Sequence, residues 1–273
     1  MSMRELTLKE IQTNTKDVLK KFADICENNN FRYFLYGGTL LGAVRDKDII
    51  PWDDDVDVIM PRPDYEQFVD YCISYSNDIS PYVLFHWKTN KKYIYPIARL
   101  SDSRYVIDDH NNVDCGLGLF IDIYPLDGYG NTFEEAREIK NKHKLLKGMV
   151  TSLGSKRCEI SDKGMVFNIV KVVLWHIGRL IGNNFFIKRI DLINRKRKYE
   201  KYKYVKCTNW EPVRFFVLYR EDLEKYKYEF FGDYKYRIPF GYDRMLKDIY
   251  GDYMSPPDEA KRHPDHAYRA YKK

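Results

Sequence analysis

Apolar residues recur every three to four positions near the start of the chain. Leu8, Ile11, Val18, Leu19, Phe22 and Ile25 fall on one face of a helix opened by the capping pair Thr7 and Glu10. Asn28-Asn29-Asn30 ends that helix. Residues 31–36 read as a short aromatic strand running into Gly37-Gly38, and 39–45 as a helical turn. A second strand is expected over 56–60, bounded by Pro61 and Pro63, then a helix over 64–76 with Tyr65, Phe68, Val69 and Cys72 inward. Strand-like stretches follow at 82–87, 93–100, 105–107 and 119–124. From Thr132 and Glu135 the pattern turns helical, first to about 149 and then, with many basic residues, to about 204. An aromatic strand over 228–231, read as core, and a helix over 242–250 close the chain. This order predicts an α/β (α+β) protein with a mixed sheet: a catalytic core over 1–130, a helical elaboration over 131–206 and a C-terminal lobe over 207–273, continuous as one domain.

Charge changes the picture in one segment. The net charge is only +6, yet 140–206 holds 18 Lys and Arg against four acids. That segment is built to meet something anionic, and the remainder is mildly acidic. No nucleic-acid motif accompanies the basic residues, so nucleic acid is not expected as the partner. Cys26, Cys72, Cys115, Cys158 and Cys207 are scattered, odd in number and without a C-x-x-C pair, which excludes a zinc site and a disulfide framework. No signal-peptide core or membrane-length apolar run is visible, so a cytoplasmic location is expected.

The chemistry concentrates in Asp53-Asp54-Asp55-Val56-Asp57. On a strand, residues two apart face one side, so Asp55 and Asp57 project together while Val56 and Val58 enter the core. Two carboxylates held that close repel unless a cation lies between them, and an all-oxygen set suits Mg2+ or Mn2+. Asp122, between Ile121 and Ile123, is a third candidate ligand. Upstream, Gly37-Gly38 joins a strand to a helix, which brings backbone N–H groups near a phosphate, with Thr39 as a hydroxyl donor. A lone D-x-D also occurs in metal-dependent glycosyltransferases, and the glycine lead-in argues for a nucleotidyltransferase layout instead.

The stretch 36–45, YGGTLLGAVR, continuing to IPWDDDVD over 50–57, resembles the signature of the LicD family, which includes the fukutin-related proteins. GLFIDIYPLD over 118–127 resembles that family's second block. Ile238-Pro239 before Tyr242-Asp243, 250–254 before Pro256-Pro257, and Arg262 with His266 resemble its C-terminal block. The resemblance implies a nucleotidyltransferase (DNA polymerase β-like) fold. It implies a phosphotransferase that takes a phospho-alcohol, often phosphocholine, from a CDP-alcohol donor to a sugar hydroxyl, with CMP leaving. Similar bacterial proteins decorate teichoic acid, lipopolysaccharide or capsule. Where the family usually has His and Gly between Arg45 and Ile50, this chain has Asp46 and Asp48, a departure that bears on the donor's alcohol.

In this reading Asp55, Asp57 and Asp122 hold the metal and carry catalysis. Gly37, Gly38, Thr39, Arg45, Lys47 and Arg99 bind the donor phosphates. Asp53, Asp54 and His266 support the metal ligands or touch substrate, His263 is a substrate contact or part of an inert tail, and Asp127 is a turn residue before Gly128. Residues 165–182 form a helix whose polar positions Asn168, Lys171, His176 and Arg179 share one stripe among apolar residues. It is either a core helix or one lying in a membrane interface beside the basic run 195–198, with the acceptor glycan on a lipid carrier. The rival functions are a glycosyltransferase using a nucleotide sugar and a membrane-associated binding protein without activity.

Overall fold

The computed structural model describes every residue except 1, 2, 143, 161, 163, 209–214 and 265–267. A short strand β1 (Arg4–Glu5) leads into helix α1 (Leu8–Asn28), whose Thr7 side chain and Glu10 form the reciprocal cap expected from sequence. The apolar face of α1 is buried as read except for the half-buried Leu8, and it also buries Gln12 and Thr15. Strand β2 (Phe34–Leu35) turns at once into helix α2 (Gly37–Leu41), which continues through a wider helical turn over Gly42–Asp46. Strand β3 (Asp57–Pro61) then runs into α3 (Arg62–Ser74), with Tyr65, Phe68, Val69 and Cys72 inward as expected.

Strands β4 (Tyr82–Phe85), β5 (Ala98–Asp102) and β7 (Leu119–Gly130) complete the central sheet, in the order β2-β3-β7-β5-β4. Pairing of β3 with β7 is parallel and the other pairings along this path are antiparallel, so the sheet is mixed. Residues 93–97, read as strand, lie outside any strand. β7 runs six residues past the expected 124, and its far end pairs with β8 (Tyr204–Lys206), which in turn pairs with β9 (Leu218–Tyr219). Strand β6 (Tyr105–Asp109) leaves the central sheet and pairs with β12 (Tyr268–Lys272), which also pairs with β1. Segments from both ends of the chain therefore share one three-stranded sheet with β6.

Asp127 is not a turn residue. It lies within β7 at 1% exposure, and Arg62 donates to both its oxygens, at 2.8 and 2.5 Å. Arg62 also donates to Asp191 at 2.9 Å. Its charge holds two buried carboxylates, which is why an acid is tolerated inside a strand.

Helices α4 (Phe133–Lys142), α5 (Lys144–Gly154), α6 (Met165–Ile181) and α7 (Asn183–Arg195) form the elaboration. α6 is not a core helix, because only Trp175 and Gly178 are buried along it. The run 195–198 is partly internal: Arg195 pairs with Asp191 and Glu66, and Arg197 donates to the Gly128 carbonyl. The aromatic strand β10 (Tyr226–Phe231) forms a hairpin with β11 (Tyr234–Pro239). It is not wholly core, since Phe231 is buried while Tyr226, Tyr228 and Phe230 are exposed. Helix α8 (Tyr242–Tyr250) has the bounds expected from sequence.

Candidate functional site

Strand register brings the candidate residues together. Asp57 on β3 sits opposite Asp122 on β7, and Asp122 sits opposite Arg99 on β5, so the three occupy one rung across the sheet. Alternation along β7 sends Phe120, Asp122 and Tyr124 to the same face. Arg99 clasps Asp122, with Nε to Oδ1 at 2.5 Å and Nη2 to Oδ2 at 3.2 Å. Its guanidinium also lies over the rings of Tyr95 and Phe120, 3.6 and 3.9 Å from their centroids. Tyr124 donates its hydroxyl to Asp122 Oδ2 at 3.3 Å. Burial alone would lower the Arg99 pKa, and the Asp122 charge reverses this and holds it well above its ordinary value.

The glycine turn presses on this rung from the other side. Gly37 has φ +57°, a conformation that glycine adopts without strain. A Cβ there would lie 3.2 Å from Asp57 Oδ2, and one on Gly38 would lie 2.5 Å from Asp53 Oδ2. Thr39 Oγ1 accepts the Asp57 backbone N–H at 2.8 Å, and the Asp57 carbonyl accepts the Tyr36 N–H at 3.0 Å. The acidic loop has its own anchor. Gln12, buried on α1, donates through Nε2 to the carbonyls of Ile50, Pro51 and Asp53 at 3.3, 3.2 and 2.8 Å. Tyr268 on β12 donates to the Asp54 carbonyl at 2.9 Å.

The carboxylates crowd one another. Ligand oxygens of Asp53, Asp54 and Asp55 come within 4.8 Å of one another. Asp57 Oδ1 is buried without a hydrogen-bond partner. Burial first, then the charges of Asp55, Asp122 and Asp53, raise the Asp57 pKa well above the carboxylate range, against a small opposing effect of the Tyr124 hydroxyl. An unsatisfied carboxylate oxygen among like charges fits a hard cation, and among the described residues the clustered ligand group is carboxylate alone.

Two clefts meet at these groups. The larger, of about 960 Å³, is lined by Asp55, Asp57, Asp122, Arg99, Tyr95 and Tyr268 among others. The smaller, of about 480 Å³, shares Gly37, Asp55, Asp57 and Tyr250 and adds Gly38, Arg45, Trp52 and Asp53. Asp55 and Asp57 line both clefts while Val56 and Val58 are fully buried; Asp55 precedes β3, so the loop and not strand alternation brings it there.

Not every expected residue reaches the site. Thr39 is 2% exposed and lines neither cleft, so it anchors Asp57 and does not present a donor to a phosphate. Lys47, with a left-handed φ of 59°, is turned toward Glu229 at 3.2 Å and lines neither cleft. Arg45 reaches the smaller cleft while paired with Asp46 at 2.8 Å. Asp46 and Asp48 line neither cleft, and Asp48 pairs with Lys16 at 2.8 Å. Asp54 is buried below the loop and His263 lines the smaller cleft, while His266 lies outside the described residues. Sequence reasoning missed Gln12, Tyr124, Tyr250 and Tyr268. Two of these carried a readable signal: Tyr124, two residues past Asp122 on the same strand face, and Tyr250, which opens the 250–254 stretch of the C-terminal block.

Residues 30–146 match the family described as LicD/FKTN/FKRP, nucleotidyltransferase domain. Over 285 aligned residues the chain is 27% identical to the lipopolysaccharide cholinephosphotransferase LicD of Haemophilus influenzae, covering 98% of this chain and 99% of that protein. An uncharacterized protein of Rickettsia typhi is 30% identical over 124 residues, 45% of this chain and 35% of its own length. One from Rickettsia prowazekii is 38% identical over 82 residues, 26% of this chain and 28% of its own length.

Proposed function

We propose, from the LicD-family domain matched over residues 30–146 and the near full-length similarity to a cholinephosphotransferase, a phosphotransferase, dependent on Mg2+ or Mn2+, that moves phosphocholine from CDP-choline to a sugar hydroxyl of a cell-surface glycan. The observation that carries the reading is the Asp57–Asp122–Arg99 rung, with its unpartnered Asp57 oxygen, at the junction of two clefts. The glycine turn followed by D-x-D on the next strand supports a nucleotidyltransferase fold of the DNA polymerase β kind. The name of the Haemophilus relative supports choline as the alcohol and lipopolysaccharide as the acceptor.

Asp55 and Asp57, with Asp122, would hold the cation, which when bound neutralises charge on the diphosphate and on the departing CMP. The smaller cleft takes the nucleotide, with Arg45 and the backbone of Gly37 and Gly38 toward its phosphates and Trp52 as an apolar wall. The larger cleft takes the acceptor: Tyr95 and Tyr268 offer flat faces, and Asp108 and Asn112 offer hydrogen-bonding groups, as sugar rings require. In the transfer, the acceptor oxygen bonds to the choline-bearing phosphorus and the bond from that phosphorus to the CMP oxygen breaks. CMP leaves with the electron pair. The hydroxyl proton passes to Asp122, which lines the acceptor cleft alone of the two. Arg99 keeps Asp122 oriented and adds positive charge beside the phosphoryl oxygens.

A thermal-shift screen tests the donor class. CDP-choline, CDP-ethanolamine, CDP-glycerol, CDP-ribitol and UDP-glucose are compared with Mg2+ present, since a ligand that binds only the folded state raises Tm. CDP-choline is expected to give the largest rise. A rise with UDP-glucose alone would move the protein to the glycosyltransferases.

A further inference from the structure

Helix α6 is built with its apolar side outward. Its inward side is narrow: Trp175 Nε1 donates to the Ser152 carbonyl at 2.8 Å, and Gly178 sits so close to α5 that a Cβ would lie 2.9 Å from Leu153 Cδ2. Two of its polar side chains are spent on neighbouring backbone, Lys171 on the Glu159 carbonyl at 2.5 Å and Arg179 on the Ser155 carbonyl at 2.9 Å. The opposite sector carries Val166 at 74% exposure, Ile169 at 55%, Val173 at 51%, Ile177 at 47% and Leu180 at 89%. A surface helix ordinarily buries such a stripe, and an exposed contiguous apolar face of this kind marks a docking surface.

We propose that this face docks on the surface of a lipid bilayer bearing anionic headgroups. The surroundings are strongly basic: α5 and α6 contain no acid at all, and Lys144, Arg157, Lys188, Arg189, Lys196 and Lys198 are exposed around or beyond them. A second copy of the chain docking face to face would bring two such basic surfaces together, whereas anionic headgroups complement them. Length favours lying in the interface. The 17 residues of α6 are too few to cross, since about 20 are needed at a rise of about 1.5 Å each, and the chain bends by 86° into α7. The exposed Phe185 continues the apolar surface past the bend.

The face is also tied to the reaction cleft. At the end of α5 the Gly154 carbonyl accepts the Val113 N–H at 2.8 Å, and the Lys156 N–H reaches the Asn111 carbonyl at 2.8 Å. Asn112, Val113 and Lys156 line the larger cleft. A bilayer on α6 would therefore sit beside the opening through which a membrane-borne acceptor enters. The docking itself stands on the α6 face and does not depend on the phosphotransferase reading.

Flotation with vesicles of phosphatidylcholine, alone or mixed with phosphatidylglycerol, tests this on the full chain. The wild type should float with the mixed vesicles at low salt and partition much less onto phosphatidylcholine alone. Val173→Ser combined with Leu180→Ser, both at exposed positions, should weaken partitioning at least about tenfold, worth about 1.4 kcal/mol. Lys188→Glu combined with Arg189→Glu, or high salt, should do the same. Circular dichroism melting checks that both variants fold. No flotation at low salt, equal flotation on neutral vesicles, or no loss in the folded serine variant would overturn the proposal. So would a dimer in light scattering that the serine variant converts to monomer, because the face would then belong to a second copy.

Discussion

Replacing Thr39 with Val tests how the acidic rung is held. The side chains have nearly the same shape, so the change leaves no cavity at a position only 2% exposed. It does remove the oxygen that accepts the Asp57 N–H at 2.8 Å, where the end of β2 has already turned into α2. A buried donor left without a partner costs about 1–3 kcal/mol. At about 2–4 °C per kcal/mol for a domain of 150–250 residues, Tm should drop by about 2–12 °C. The same N–H fixes the backbone from which the Asp57 carboxylate projects, so CMP release should fall at least about tenfold. Thr39→Ser is the control: it sheds a methyl worth about 1 kcal/mol of burial but keeps the oxygen, and should retain most of the turnover. The assay pairs thermal melting with CMP release for both variants. If Val and Ser behave alike in turnover, Thr39 does not position Asp57 and the argument fails.

Gly38→Ala forces a Cβ to 2.5 Å from Asp53 Oδ2, the end of a side chain that can swing aside; turnover should fall while Tm changes little, and unchanged kinetics would show that the Asp53 position is immaterial. Arg62→Met strands Asp127, 1% exposed, while Asp191 keeps Arg195, and should cost about 3–5 kcal/mol in urea unfolding; a cost below about 1 kcal/mol, the range of an exposed ion pair, would mean that Asp127 finds another partner. Burial pushes the His86 pKa down to about 3. Because the unfolded chain takes up this proton near pH 6.5 and the folded one does not, stability is complete above that pH and declines below it, by about 2 kcal/mol at pH 5 from this residue. His86→Phe should flatten that part of the pH–stability curve, and an unchanged slope would place the decline elsewhere.

What could be read in advance was local. The capping pair of α1, the tight Gly37-Gly38 turn and the burial of Val56 and Val58 on either side of Asp57 are set by neighbours within a few residues. What could not be read depends on distant partners. Gln12 looks like a polar interruption of an apolar stripe until a loop 38 residues away supplies its acceptors. Asp127 before a glycine imitates a turn because Arg62, 65 residues upstream, is invisible to local pattern. Tyr268 reaches the site only because β12 pairs with β6 across the chain. For α6, periodicity reveals a stripe but not which side faces the protein; the single small residue Gly178 and the backbone acceptors on α5 decide that. Lys47 reads as a phosphate clamp by its charge, but its partner is Glu229 on β10, far along the chain.

In the proposed function the crowded carboxylates around Asp57 form a cation-dependent phosphotransfer centre. Purified wild type and Asp57→Asn are compared for CMP release from CDP-choline with a lipopolysaccharide acceptor, in Mg2+ and in EDTA, alongside their melting temperatures. Release is expected only from wild type in Mg2+, with an Asp57→Asn protein that is inactive yet melts at or above the metal-free wild type, because a buried like-charge repulsion is gone. Release by Asp57→Asn at the wild-type rate, or release by wild type undiminished in EDTA, would contradict it.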